Sequence, residues 1–338
     1  MRREPVTRAM RRTLYLLVAA VALLLSTPAA GAQAISYGEW NPGWQTGGSV
    51  NNSVISAREQ DMGHPLDIIH WYAGPGEGYS GYEHIMVDNA LMLKRIPFVS
   101  WALPVGFSDN ALLDDWAAGI KAKAPQQVYI RLFWEFNDPP SDTNGSWGVC
   151  HSRRGPEQLV QSWRSIVDRF RADGATNVKW VWNPDGTMGS QMYGDECGSM
   201  AAAYPGDAYV DFRGFDDYAY DTKAQYDALN TQTGSTKPML LGEIGATDHD
   251  GPGGAKWIQS LGALLDSGSM PQLQGIVYFN EKTQALSSNP ETHAALKALL
   301  KQASATPAAG TPQPTGTPQR TSKPQSGSCS GPLSFSSP

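Results

Sequence analysis

The chain has 338 residues, with 26 Lys and Arg against 32 Asp and Glu, a formal net charge of -6 and only 3 Cys. The acidic balance argues against a nucleic-acid binder, which needs basic surface. Three cysteines exclude both a disulfide-dense scaffold and a four-Cys zinc site. A hydrophobic content of 41% supports a real core, and 11 Trp with 13 Tyr supply many faces on which flat ligands stack.

Five arginines (Arg2, Arg3, Arg8, Arg11 and Arg12) precede a continuous apolar run over 14–25. Small residues follow, with two A-x-A sites, Ala30-Gly31-Ala32 and Ala32-Gln33-Ala34. This is the layout of a secretory signal peptide, read here as residues 1–32. The run falls short of the about 20 residues that span a bilayer, so a secreted protein without a membrane anchor is expected after cleavage. Cleavage removes five Arg and one Glu and leaves a net charge of -10.

Residues 33–303 then alternate between two patterns. Apolar, β-branched segments predict strands at 35–39, 66–72, 96–102, 127–134, 178–183, 210–218, 238–243 and 275–280. The clearest helices between them are predicted at 82–94, 110–123, 156–172, 255–266 and 290–302. In the third, Trp163, Ile166, Val167 and Phe170 recur on one helical face, and Gly174 closes it. Strands alternating with helices form parallel sheets through right-handed crossovers. Eight such units predict a single (β/α)8 TIM barrel as the one folded domain. Residues 304–338 are rich in Pro, Thr and Ser and read as a disordered linker or tail.

The motifs narrow the chemistry. Gly74-Pro75-Gly76-Glu77-Gly78 lacks the G-x-G-x-x-G spacing of a dinucleotide loop, and no G-x-S-x-G elbow appears. Asp248-His249-Asp250 are successive residues that do not converge on one ion, so no metal and no cofactor are expected. Barrel active sites form at strand C-termini. There, strand four presents Glu135 after Arg131-Leu132-Phe133-Trp134, and strand seven presents Glu243 after Leu240-Leu241-Gly242. A buried carboxylate is costly unless paired. Two of them across one mouth suit glycoside hydrolysis, which needs two carboxyl groups flanking one bond.

Aromatic residues gather at the same strand ends: His70, Trp71 and Tyr72, Trp101, Trp182, Tyr218 and Tyr220, and Phe279, with Trp147 in the loop after strand four. Each alone reads as core filling. Together they read as sugar platforms, and Trp134, Arg131 and Asn137 around Glu135 join them as expected substrate contacts. Arg131 is in register with Glu135 and is expected either to hold a carboxylate ionised or to form a structural salt bridge.

The stretches IRLFWEFN, SWRSIVDRFRADGATNVKWVWNPD, YPGDAYVDFRGFDDYAY and MLLGEIGA resemble glycoside hydrolase family 26, a β-mannanase-like family in the retaining (β/α)8 clan. The resemblance implies Glu135 as general acid/base, Glu243 as nucleophile and Tyr218 as a hydrogen-bond donor to the nucleophile. It implies hydrolysis of internal β-1,4 linkages of a mannan-type polysaccharide by double displacement. The family usually has a His directly before the acid/base and a Gly after the following Asn; here these positions are Trp134 and Asp138. An indole only donates, whereas an imidazole also accepts. Mixed-linkage β-glucan or xylan is therefore the alternative substrate, and a catalytically inactive polysaccharide-binding protein is the alternative of another class. Cys150 and Cys197 fall in neighbouring loops of one barrel face and are expected to pair as a disulfide, leaving Cys329 over. A monomer is expected.

Overall fold

The computed structural model describes residues 34–46, 49–137, 155–186, 200–219, 221–250 and 253–305. The expected signal peptide and nearly all of the expected tail lie outside these residues, as do Trp147, Cys150, Cys197, Tyr220 and Asp138.

Eight parallel strands close into a barrel. They are β1 (Ser36–Trp40), β2 (Ile68–Ala73), β3 (Ile96–Trp101), β4 (Val128–Leu132), β5 (Val178–Trp182), β6, β7 (Met239–Ile244) and β8 (Leu273–Phe279). The sixth is split into Phe212–Arg213 and Asp216–Asp217. The first piece pairs with β5 and the second with β7. Closure comes from β8, which pairs with β7 on one side and with β1 on the other, Ser36 opposite Gly275. Strand β4 ends at Leu132, earlier than the apolar run predicted, because the backbone turns through left-handed φ values of 50° at both Phe133 and Glu135.

The helices are α1 (Asn52–Met62), α2 (His84–Met92), α3 (Asn110–Lys121), α4 (Gly155–Ala172), α5 (Met200–Ala203), α6 (Thr222–Thr233), α7 (Gly254–Asp266) and α8 (Pro290–Ala305). Helix α4 buries Leu159, Trp163, Ile166, Val167 and Phe170, the face that the periodicity marked. Three helices carry Asx caps that accept from the first-turn backbone: Asn51 on α1, Asp109 on α3 and Asp221 on α6. Asp248 caps α8, accepting from the Thr292 amide and hydroxyl and from the Glu291 amide, so the Asp-His-Asp triplet is a structural corner.

Side chains alternate along each strand and build two separate cores. Ile68, Phe98, Tyr129, Val181, Leu240 and Val277 form one cluster, which fills the barrel interior. The other cluster joins strands to helices and includes Trp71, Val99, Trp101, Ile130, Leu132, Trp180, Trp182, Leu241 and Ile276. Above the apolar interior layer sits a polar one made of His70, Ser100, Arg131, Asn183, Asp216 and Glu243, all buried.

Candidate active site

Arg131 organises the polar layer. It reaches inward from β4 and is fully buried. Its Nε donates to Ser100 Oγ at 2.7 Å, its Nη1 to both oxygens of Asp216 at 2.8 and 2.9 Å, and its Nη2 to Glu243 Oε1. Burial opposes the guanidinium charge, but the carboxylates of Asp216 and Glu243 outweigh it and hold Arg131 protonated beyond its ordinary range. Asn183 completes the layer by donating to Asp216 Oδ1 at 2.7 Å and accepting from the Gly242 amide at 3.1 Å. Gly242 has to be glycine here. A Cβ would crowd Asn183 Oδ1 and stand 2.6 Å from Arg131 Nη1.

Beside Ser100, His70 Nε2 lies 2.7 Å from the hydroxyl. Burial, then the charge of Arg131, pushes His70 well below the usual histidine range, so the ring is neutral. Ser100 thereby joins the His70 ring to the hydrogen-bond network of Arg131.

Above this layer opens a cleft of about 670 Å³, lined by Tyr72, Ala73, Gly74, Glu77, Ala102, Trp134, Glu135, Tyr218, Glu243, Phe279, Glu281, Lys282 and Gln284. Glu243 accepts from Tyr72 Oη at 2.7 Å on Oε1 and from Tyr218 Oη at 2.5 Å on Oε2. Burial, then the Glu243 charge, pushes both phenols well above the usual tyrosine range, so both remain hydrogen-bond donors. Glu135 reaches the cleft through its left-handed backbone, and its amide donates to the Asn183 carbonyl at 3.1 Å. One carboxylate oxygen each from Glu135, Asp216 and Glu243 lies within 4.8 Å of the others. Arg131 bridges two of these three carboxylates, Asp216 and Glu243.

The structure therefore brings together Glu135, Glu243, Tyr218, Tyr72, Trp134 and Phe279 at the cleft, with Arg131 beneath it. Three of the expected sugar platforms are corrected. Trp71, Trp101 and Trp182 are fully buried between barrel and helices. Their indoles donate to Glu83, to the Gly74 carbonyl and to the Ala203 carbonyl respectively. The period-two alternation of a strand explains this: Trp71 stands between inward-facing His70 and Tyr72 and must face outward. His70 and Asn137 are likewise buried, His70 in the polar layer and Asn137 bonded to the Asp185 backbone. Both are supports, not part of the cleft lining.

Sequence reasoning missed Asp216, although it stands two residues before Tyr218 and so shares its inward parity. It also missed Glu77 and Glu281 on the cleft wall. Glu281 Oε2 accepts from the Trp40 indole at 2.8 Å. Loop residues carry no periodic signal.

Two carboxylates across one cleft on a (β/α)8 barrel, one of them held by an arginine and two phenols, are the arrangement that glycoside hydrolysis needs. The model for Glycosyl hydrolase family 26 matches residues 109–252, a segment that contains Glu135, Asp216, Tyr218 and Glu243. Over that segment the chain resembles glycoside hydrolase family 26. It is 27% identical over 299 residues to Endoglucanase H of Acetivibrio thermocellus, an alignment covering 80% of this chain and 32% of that protein. The chain thus spans about a third of the length of this relative. Its fold is similar to the GH26 domain of an endo-beta-mannanase/endo-beta-glucanase from Prevotella bryantii, with a TM-score of 0.55 at 16% identity over 83% of this chain and 93% of that one. A ruminal GH26 endo-beta-1,4-mannanase also aligns, with a TM-score of 0.55 at 13% identity over 80% and 63% of the respective chains.

Proposed function

We propose that the protein is a secreted, monomeric, endo-acting retaining glycosidase that cleaves internal β-1,4 linkages of a mannan-type polysaccharide. The observation that carries the reading is the spacing of Glu135 and Glu243, whose nearest carboxylate oxygens are within 4.8 Å. Retaining enzymes hold their carboxyl groups about 5–5.5 Å apart, whereas inverting ones leave about 6.5–9.5 Å for a water. Glu243, oriented by Arg131, Tyr72 and Tyr218, attacks the anomeric carbon while Glu135 gives its proton to the leaving oxygen. Water then adds to the same carbon and loses its proton to Glu135, and the sugar leaves Glu243. Phe279, partly exposed on the cleft wall, offers a ring on which a sugar stacks. The names of the relatives, endo-beta-mannanase among them, support the internal mode of attack.

One observation favours β-glucan as a second reading. Trp134 stands where the family carries His, and the relative from Acetivibrio thermocellus is named an endoglucanase. Mannose and glucose differ in the orientation of the 2-hydroxyl, and the residue preceding the acid/base is the neighbour suited to sense it. Reducing-sugar release by the purified protein from mannan, glucomannan, lichenan and xylan, with Glu243→Ala as control, separates the readings. Release from mannan lost in the variant supports the proposal. Release from lichenan alone supports the second reading. Release from none of the four refutes both.

A further inference from the structure

We propose that Tyr72 is a positioning residue for Glu243 that accelerates departure of the sugar from the enzyme and not its arrival. The inference rests on the double-displacement reading above.

The two oxygens of Glu243 are held unequally. Oε1 accepts from a cation, Arg131, and from the Tyr72 phenol at 2.7 Å. Among the described residues Oε2 accepts a hydrogen bond from the Tyr218 phenol, at 2.5 Å. Freeing Oε1 for attack would break a buried charge-assisted bond as well as a neutral one, and such bonds are roughly twice as strong as neutral ones. Oε2 is therefore the attacking oxygen. It forms the bond to the anomeric carbon as the glycosidic bond breaks, and that bond's electron pair leaves with the oxygen that takes the Glu135 proton. In the second step water bonds to the carbon and Glu135 takes its proton. The carbon–Oε2 pair then returns to Glu243.

Oε1 is the carbonyl oxygen of the intermediate, and Tyr72 remains on it throughout. A donor there stabilises a full carboxylate most, a half-formed one less, and an ester least. It therefore lowers the barrier out of the glycosyl-enzyme and slightly raises the barrier into it. The surroundings fix the Tyr72 ring for this task. It lies 5.2 Å from Trp40, 4.7 Å from His70 and 5.5 Å from Trp134, centroid to centroid, in edge or tilted contacts that do not use the hydroxyl.

Tyr72→Phe keeps these ring contacts and removes only the hydroxyl. The test uses 2,4-dinitrophenyl β-mannobioside and β-cellobioside, whose leaving groups need no proton and make departure from Glu243 the slow step. For Tyr72→Phe, kcat falls roughly tenfold or more and KM falls with it. The ratio kcat/KM stays level or rises. A burst of one dinitrophenolate per enzyme appears, and mass spectrometry of quenched enzyme finds the glycosyl adduct. If wild type turns over and Tyr72→Phe lowers kcat and kcat/KM by one common factor, or changes neither, Tyr72 has no such role. If wild type turns over neither glycoside, the hydrolase reading falls and this inference falls with it.

Discussion

Glu135 and Glu243 present carboxylate oxygens within 4.8 Å of one another across the barrel mouth, too close for a water to stand between them in line with an anomeric carbon. The products should therefore emerge with the β configuration of the substrate. Proton NMR during the first minutes of hydrolysis checks this, before mutarotation mixes the anomers. Initial release of the α anomer would contradict the assignment of Glu243 as nucleophile.

Glu135 does its work through a proton, so its removal should hurt most where the leaving group needs one. Glu135→Ala should lower turnover of polysaccharide by roughly a hundred- to ten-thousandfold. Release of dinitrophenolate should suffer far less in its first turnover, and added azide should restore turnover by replacing the water that Glu135 activates. An equal loss on both substrate types would show that the variant had lost more than an acid/base.

Arg131 is fully buried between two carboxylates. Arg131→Met leaves Asp216 and Glu243 facing each other without a cation. Breaking a buried pair in this way typically costs roughly 3–5 kcal/mol. Denaturant unfolding should show that loss together with near-complete loss of activity. Arg131→Lys should recover only part of both, since an ammonium cannot reproduce the fork that reaches Ser100, Asp216 and Glu243 at once.

Glu83 on the β2–α2 connection is 1% exposed, and one of its oxygens is buried without a partner. Burial pushes its carboxyl up to about 7, against the pull of the Trp71 hydrogen bond and with a push from Glu77. The unfolded chain releases this proton at lower pH than the folded one. Stability is therefore highest below the ordinary glutamate range, falls as pH rises toward about 7, and is level above it. Glu83→Gln keeps an acceptor for Trp71 and removes the titration. Thermal midpoints from pH 4 to pH 8 should show the variant gaining on wild type up to about pH 7, by about 3 kcal/mol at the plateau. A constant difference across that range would refute the assignment.

Trp134 meets the Tyr72 ring in a tilted contact at 5.5 Å, and the Arg131 guanidinium lies over its ring at 5.7 Å. Trp134→His should change the ratio of kcat/KM on mannan to that on lichenan by roughly tenfold, the worth of one hydrogen bond to a sugar hydroxyl. An unchanged ratio would remove this position from substrate choice.

Much of this molecule was legible in the chain order. Eight alternating strand and helix patterns gave the barrel, because a strand feeding a helix has essentially one handed way back to its sheet. Glu135 and Glu243 were legible because a carboxylate ending an apolar strand has no place in the core. The tryptophans were misread because composition says how many aromatic rings exist, not which way a strand turns them. Trp71, Trp101 and Trp182 all took the outward parity and went into the helix layer.

By itself, then, the sequence determined local matters: periodicity, element type, and which residues end which strand, all set by near neighbours in the chain. Only the tertiary structure decided what depends on closing the barrel. Closure put Asp216 of β6 and Arg131 of β4 in contact, gave Glu243 two phenols from β2 and the end of β6, and set the distance across the mouth. Those contacts join residues far apart in the chain, and their distances follow from strand register and side-chain parity around the whole ring, which no local pattern encodes.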